Sequence, residues 1–250
     1  MKGPMLVGFE VFLETWSNGR RDVLFVVTTD EEIGGFLGAA KLLNKFRLIK
    51  LAIVLDGGSG EDVVVKQKAP FHIEITHLGK SAHASRPSEG VNSIHKLAEC
   101  CLLICNKLEC ASITKIGGGE ASNKIPDIAQ AILDIRIKSK NLLQNAIKEI
   151  SIATNEFGCS WMPIDKPVFF EVSAKNKFIK IFAKLSGRKF TCESGTSDAR
   201  FLSDKQCIPT IVTSALGGNI HGNNEWVSWK SLIKLKDDIR NFINDLEVQL

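Results

Sequence analysis

Several features are missing from this 250-residue sequence, and each absence excludes a class of protein. No apolar run reaches the roughly 18 residues of a membrane-spanning helix, which argues against a membrane protein. The sequence has no Lys/Arg-rich block with interleaved aromatics, and its net charge of +4 is too small and dispersed to indicate a nucleic-acid partner. Its seven cysteines include no Cys-x-x-Cys pair, and internal repeats and low-complexity linkers are absent.

The remaining composition, with 44% hydrophobic and 24% charged residues, is that of a soluble globular protein. Glu10 and Glu14 interrupt the apolar N-terminal stretch, whose spacing predicts an amphipathic helix over 5–16 instead of a signal peptide. Four cysteines lie in one apolar helical stretch at 100–110, and we expect free core thiols in a reducing compartment. These features together favour a cytoplasmic location.

Both ends of the chain alternate helix and strand. Apolar, β-branched runs at 23–28 and 51–55 predict strands buried on both faces, and a helix is predicted between them, ending near Asn44. After about residue 172 the alternation of helix and buried strand resumes. The predicted elements are a helix at 177–185, a buried strand at 209–213 and a helix from Ser228. The β–α–β order predicts a parallel sheet with crossover helices, formed by residues 1–67 and 173–250.

Residues 68–172 follow a different plan. The predicted elements are strand 71–78, helix 90–108, strands 111–116 and 129–137, helix 142–154 and a short strand near Trp161. This order, strand–helix–strand–strand–helix–strand, is the split βαβ plan of a compact α+β domain. The sequence therefore predicts an α/β domain interrupted by a smaller inserted domain.

Carboxylates and one histidine follow the predicted strands of the α/β domain. They are Glu31 and Glu32 after strand 23–28, Asp56 after strand 51–55, and His221 in a Gly/Asn-rich loop after strand 209–213. Because open α/β sheets build their sites beyond the carboxyl ends of strands, we expect these side chains to converge on one crevice. Three carboxylates and an imidazole would repel one another without a cation, and they suit zinc.

Other interpretations of these residues are open. The acids at 30–32 could be only an acid-rich helix N-terminus, stabilised by the helix dipole. The glycines of 34–38 half-resemble a phosphate-binding loop, although three acids before them would repel a pyrophosphate. Cys192 or Cys207 could pair with His221 as a thiol nucleophile, which would leave the acids unexplained.

Segment 29–35, Thr-Asp-Glu-Glu-Ile-Gly-Gly, resembles the paired-glutamate segment of a two-zinc peptidase and deacylase family. That family includes aminoacylase, carboxypeptidase G, acetylornithine deacetylase and succinyl-diaminopimelate desuccinylase. The resemblance implies that Glu31 is the general base and that Glu32 binds one zinc. Asp56, in Val-Leu-Asp-Gly-Gly, matches the acidic ligand of the other zinc, and His221, in Ile-His-Gly-Asn-Asn-Glu-Trp-Val, matches the histidine that joins Glu32. The implied reaction is metal-dependent amide hydrolysis with zinc, or with cobalt or manganese in its place.

Further matches lie in the inserted domain. Segment 79–87, Gly-Lys-Ser-Ala-His-Ala-Ser-Arg-Pro, resembles the family's lid motif, whose histidine, His83 here, reaches the scissile amide, commonly from the other subunit of a dimer. Asn123, in Asn-Lys-Ile-Pro-Asp, and Arg136, in Asp-Ile-Arg, match lid residues that hold the substrate. The resemblance implies that Arg136 anchors the substrate carboxylate, for which a guanidinium is the natural partner.

Segment 194–201, Ser-Gly-Thr-Ser-Asp-Ala-Arg-Phe, is similar to the desuccinylase and deacetylase branch, which implies that the hydroxyls of Thr196 and Ser197 line an acyl pocket. The family also implies a ferredoxin-like lid that forms a homodimer, and a substrate that is an N-acyl amino acid or a small peptide. The other three histidines, at 72, 77 and 95, match no functional segment.

The family pattern is incomplete in this sequence. The family has a His-x-Asp motif and a bridging aspartate before a Met-Lys-Gly-like segment, and residues 1–4 resemble the residues directly after that aspartate. One zinc then keeps only Asp56 and the other keeps Glu32 and His221, whereas zinc sites generally use three or four protein ligands. We expect weak metal binding, little hydrolysis and an exposed apolar sheet edge. The alternative to a truncated or mis-started hydrolase is an inactive relative that acts as a binding or dimerisation module.

Overall fold

The computed structural model describes residues 2–42, 45 and 48–249, and the chain divides into two compact units. The first unit combines Met1–Gln67 with Phe169–Leu250, and the second is Lys68–Val168. The sequence places the return to the first unit after residue 172, whereas the structure places it at Phe169. The difference arises because Phe170–Glu171 pairs with a strand of the first unit.

The helices and strands alternate irregularly along the chain. They are α1 (Lys2–Ser17), α2 (Ala39–Leu42), β1 (Ala52–Val54), β2 (Asp62–Gln67), β3 (Ala69–Leu78), α3 (Ser93–Lys107), β4 (Ala111–Gly118), β5 (Ile128–Ile137), α4 (Lys140–Phe157), β6 (Cys159–Pro163), β7 (Phe170–Glu171), α5 (Lys177–Ser186), β8 (Lys189–Glu193), α6 (Ala199–Gln206), β9 (Thr210–Val212), β10 (Gly217–Gly218), β11 (Trp226–Val227) and α7 (Trp229–Gln249). Short 3-10 turns lie at Glu31–Ile33 and Pro87–Glu89. Every helix of the described chain falls short of the length and apolarity needed to cross a bilayer.

The sheet of the first unit is mixed. Its order is β1-β9-β2-β7, and β8 also pairs with β2. The pairs β1–β9 and β2–β8 are parallel, as the β–α–β order predicts, whereas β2 runs antiparallel to β7 and β9. Helices α1, α5 and α7 cover this sheet with a continuous apolar core. Within that core, the rings of Phe182 and Phe242 meet edge to face at 5.3 Å.

The predicted strand at 23–28 is wrong: the segment belongs to no strand and to no helix. Leu24, Val26 and Val27 are exposed instead of buried on both faces. A strand needs a neighbour to satisfy its backbone N–H and C=O groups, and no described strand pairs with this segment. The helix predicted after it is reduced to the 3-10 turn and the four-residue α2, and its predicted end near Asn44 lies outside the described residues.

The second unit is the predicted split βαβ domain. Its four strands form an antiparallel sheet in the order β4-β5-β3-β6, which is ferredoxin-like. Buried and partly exposed residues alternate along β3 and β5, so one face packs against α3 and α4 and the other is open. Cys100 and Cys101 are buried on the helical side, and all seven cysteines of the chain are free thiols.

Candidate functional site

A cluster of acids lies in the first unit, beyond the ends of its strands. Its members are Glu31 and Glu32 on the first 3-10 turn, Asp56 after β1, Glu193 at the end of β8, and Asp198 just before α6. Burial raises the pKa of Glu31 to about 7, and the charges of Asp56, Glu32 and Asp198 act in the same direction. Burial likewise raises the pKa of Asp56 to about 6, with added repulsion from Glu32. These carboxylates are therefore close enough to influence one another.

The turn that carries the two glutamates is fixed by its own polar groups. Asp30 Oδ2 accepts hydrogen bonds from the backbone N–H groups of Leu37 and Gly38, both at 2.8 Å. Gly35 has a φ of +66°, and a Cβ there would lie 2.0 Å from Asp198 Oδ1. The glycine-rich segment therefore lets the chain approach Asp198 closely, which explains it without a phosphate ligand.

Glu32 and His221 face each other. Glu32 Oε2 lies 3.6 Å from His221 Nε2, and the side chains are 63% and 69% exposed. The loop that holds the histidine is closed by the antiparallel pair β10–β11. His221 itself has a φ of +62°, a left-handed conformation that is uncommon outside glycine and that concentrates at functional sites. The pair offers one carboxylate oxygen and one imidazole nitrogen, both accessible to solvent.

Residues of the Ser-Gly-Thr-Ser segment make internal contacts. Ser197 is buried, and its N–H and hydroxyl both donate to Gln67 Oε1, at 3.2 and 2.9 Å. Gln67 Nε2 donates in turn to Glu193 Oε2 at 3.2 Å, and Glu193 Oε1 accepts from the N–H of Gly58 at 3.2 Å. This network ties the loop after Asp56 to β2 and β8. The hydroxyl of Ser197 thus has a structural partner, and Thr196 beside it is only half-buried.

Sequence reasoning missed three residues of the first unit's site, namely Gln67, Glu193 and Asp198. Asp198 Oδ2 accepts from the Thr28 hydroxyl at 3.0 Å, across 170 positions of sequence. Burial raises the pKa of Asp198 as well. Only their positions in the sequence could have indicated two of these residues as site residues. Glu193 directly precedes the Ser-Gly-Thr-Ser segment, and Asp198 directly follows it.

In the second unit, His83 and Asn123 lie together. The N–H of Ala84 donates to the carbonyl of Asn123 at 2.8 Å, and His83 forms an isolated β-bridge with Lys124. The N–H of Ser85 donates to His83 Nδ1 at 3.2 Å, which leaves the proton of a neutral ring on Nε2.

Arg136 lies elsewhere on the same unit. It is near the end of β5 that pairs with the beginning of β3, whereas the His83 segment follows the end of β3. Eight residues of β5 separate Arg136 from that other end, roughly 27 Å at strand spacing. One copy of this unit therefore does not bring Arg136 and His83 together.

Comparison with known proteins agrees with this architecture. Residues 65–156 match the family model M20_dimer, described as a peptidase dimerisation domain. A succinyl-diaminopimelate desuccinylase of Buchnera aphidicola subsp. Cinara cedri is 26% identical in an alignment of 286 positions. The alignment covers 98% of this chain and 73% of the relative.

Solved structures share the fold. A tripeptidase from Staphylococcus aureus superposes with a TM-score of 0.80 at 22% identity, covering 95% of this chain and 68% of that one. An M20 family metallo-carboxypeptidase from Sulfolobus solfataricus superposes with a TM-score of 0.71 at 15% identity, covering 97% of this chain and 75% of that one. The chain is therefore similar to a desuccinylase and to solved peptidases, one of which is a metallo-carboxypeptidase. The chain is related to the M20 family of zinc peptidases and deacylases.

Proposed function

We propose that the chain takes part in hydrolysis of the amide bond of an N-acyl amino acid or a small peptide with a free carboxylate. The observation that carries this proposal is the juxtaposition of Glu32 and His221, beside the interacting carboxyls of Glu31 and Asp56. These residues come from three separate segments, and each matches a catalytic or metal-binding segment of the family. A desuccinylase among the relatives supports an N-acyl amino acid as the substrate class.

Zinc is the metal that the resemblance implies, but the described residues fit only part of a zinc site. Glu32 and His221 supply two ligands, and zinc sites generally use three or four. Among the side chains that the structure describes, no group of three or more His, Cys, Asp or Glu residues could hold a metal ion. The same shortage applies to cobalt and manganese.

The chain's own residues would have the following roles. Glu31 would take a proton from the attacking water and return it to the leaving nitrogen, a task suited to a carboxyl whose pKa is about 7. His83 would donate a hydrogen bond from Nε2 to the scissile carbonyl, with Asn123 beside it. Arg136 would bind the substrate carboxylate, and Thr196 would contact the acyl group.

A homodimer formed through the second unit is part of the proposal. The match of residues 65–156 to a dimerisation domain supports it. So does the separation of Arg136 and His83 within one copy, since two substrate-binding residues so far apart would need contributions from different subunits to act on one small substrate.

A second candidate function is a binding or dimerisation module without catalysis. The absence of a three-ligand group among the described residues favours it. The two candidates differ in a measurable property, because only the hydrolase needs Glu31 as a proton acceptor.

Glu31→Gln is expected to lower hydrolysis by about 100- to 10,000-fold, since an amide cannot accept the proton of water. The measurement is amine release from a panel of N-succinyl and N-acetyl amino acids by the zinc-supplied chain. Glu61→Gln, an exposed acid after the Asp56 loop, is the matched control and should not change the rate. Hydrolysis that survives Glu31→Gln would contradict the assigned role, and no hydrolysis above buffer would favour the binding module.

A further inference from the structure

Four charged side chains form a chain on the open face of the second unit's sheet. His72 lies on β3, Asp134 and Arg136 lie on β5, and Asp165 follows β6. The ring Nδ1 of His72 bonds to Asp165 Oδ2, and the backbone N–H of His72 donates to Asp165 Oδ1 at 3.0 Å. His72 Nε2 lies 3.8 Å from Asp134 Oδ2, which accepts Arg136 Nε at 3.0 Å and Nη2 at 2.8 Å. The order along the chain is acid, base, acid, base.

The strand register places these groups side by side. His72 is directly opposite Asp134, and Arg136 lies two residues further along β5, on the same face. All four side chains are partly exposed, so a solute can reach them. Asp134 Oδ1 is buried and has no hydrogen-bond partner among the described residues. Arg136 alone therefore does not satisfy the Asp134 carboxylate.

The guanidinium of Arg136 retains an unused edge. Asp134 occupies Nε and one hydrogen of Nη2, while Nη1 makes no bond within the described part of the chain. Nη1 and Nη2 together can still bind a carboxylate in a bidentate manner. Asp134 nevertheless offsets the charge of Arg136, and Asp165 adds a further negative charge nearby. A neutral His72 leaves the cluster with one positive charge fewer, which weakens its attraction for an incoming carboxylate.

We propose that His72 is a positioning residue for the substrate carboxylate, acting through Asp134. The protonated ring lies 3.8 Å from the same Asp134 oxygen that accepts Arg136, and it adds a positive charge to the cluster. Arg136 then attracts a carboxylate at its unused edge. This inference rests on the proposed role of Arg136 as the carboxylate anchor.

Because the charge of His72 depends on pH, the affinity of the chain for a carboxylate should also depend on pH. The groups that face the ring are Asp165, Asp134 and Arg136. The hydrogen bond to Asp165 raises the pKa of His72 above its ordinary value, the charges of both acids add to this effect, and burial and Arg136 oppose it. The ring is therefore protonated at lower pH and loses its proton as the pH rises through that raised pKa. Carboxylate affinity should fall over the same range.

The test is a titration of the full 250-residue chain with N-acetylglycine, without added metal. Binding is monitored by NMR through the chemical shift of the Arg136 Nε–Hε resonance. Affinity is expected to fall about fivefold as the pH rises through the raised pKa of His72, the size of a charge interaction across several ångströms at a protein surface. N-acetylglycinamide, which lacks the carboxylate, is the control ligand and should show no such dependence.

Three variants separate this role from a merely structural one. His72→Gln should bind N-acetylglycine weakly at every pH, with the affinity of the parent chain at high pH. Asp165→Asn should keep the dependence but move it to lower pH, because the hydrogen bond that raises the pKa is weakened. His95→Gln, an exposed histidine on α3, should behave like the parent.

A pH dependence that persists unchanged in His72→Gln would overturn the inference, as would failure of N-acetylglycine to perturb Arg136. Neither measurement uses zinc or hydrolysis. Loss of the proposed hydrolase activity would therefore leave the His72 result standing, and an active hydrolase with no His72 dependence would refute this inference alone.

Discussion

Asp238→Asn is expected to lower the free energy of unfolding by about 3–5 kcal/mol, because it leaves a buried cation without its partner. Arg188 Nε donates to Asp238 Oδ2 at 3.0 Å, and the two side chains are only 1% and 9% exposed. Lys234 Nζ lies 2.9 Å from both oxygens of the same carboxylate. One buried acid therefore offsets two cations.

The other contacts of Arg188 cannot replace that acid. Its Nη1 donates to the hydroxyl of Thr213 at 2.9 Å and to the carbonyl of Ser214 at 3.0 Å, and both acceptors are neutral. An asparagine at 238 keeps the shape of the site but removes its only negative charge among these contacts. The expected loss follows from the desolvated charge and not from a cavity.

Urea unfolding followed by tryptophan fluorescence measures this effect, since three of the four tryptophans, Trp16, Trp226 and Trp229, belong to the first unit. Asp237→Asn is the matched control on the same helix. Asp237 is 52% exposed and pairs with Arg240 at the surface, so its loss should cost less than about 1 kcal/mol. Equal small losses in the two variants would show that the Arg188–Asp238 pair is not a buried ion pair in solution.

Gly60→Ala is the second substitution with a large expected effect. It should lower the free energy of unfolding by about 2–5 kcal/mol through backbone strain and overpacking. Gly60 has a φ of +88°, and a Cβ there would lie 2.3 Å from the backbone nitrogen of Leu216 and 2.7 Å from its Cα. Backbone atoms cannot rotate away from such a contact as a side chain can. The substitution must therefore separate the loop after Asp56 from the chain segment that leads to His221.

Gly19→Ala isolates the contact from the strain. Gly19 has nearly the same backbone conformation, with a φ of +92°, but a Cβ there would meet nothing within 4 Å. Gly19→Ala should lower the free energy of unfolding only by the strain of the left-handed conformation, about 1–2 kcal/mol. Urea unfolding of the two variants gives the difference, and a Gly60→Ala variant no less stable than Gly19→Ala would contradict the close approach to Leu216.

The second unit was predictable from sequence because its strands carry their signal locally. Buried and open positions alternate along β3 and β5, and its two helices have capping residues, Asn92 and Ser139, at their N-termini. Period-2 and period-3.6 patterns report such elements without knowledge of their partners. The order of elements then permits few topologies, and the ferredoxin-like one is observed.

The first unit was less predictable because its strands depend on distant partners. The segment 23–28 has a strong apolar signal but no neighbour among the described strands, so no strand forms. Strand β2 pairs with three other strands, yet its sequence, Asp-Val-Val-Val-Lys-Gln, mixes apolar and charged residues, and it was missed. Local periodicity does not report which strand will become the centre of a mixed sheet.

The site shows the same division. Glu31, Glu32, Asp56 and His221 were predicted to share a site from their positions after apolar runs, even though one of those runs forms no strand. Gln67 and Glu193 were not predicted to belong to the site. Their hydrogen bonds join residues that are 126 to 135 positions apart in the sequence. His72 matches no family segment, and only the register of β3 against β5 reveals its contact with Asp134.

The proposed function depends on Glu32 and His221 as metal ligands. Zinc titration calorimetry of the purified chain, beside His221→Ala and Glu32→Gln, tests it most directly. We expect one weakly bound zinc in the parent chain, because two protein ligands hold zinc less firmly than three or four. We expect no measurable zinc binding in either variant and parent-like zinc binding in His95→Ala. Zinc binding of unchanged affinity and stoichiometry in His221→Ala would contradict it.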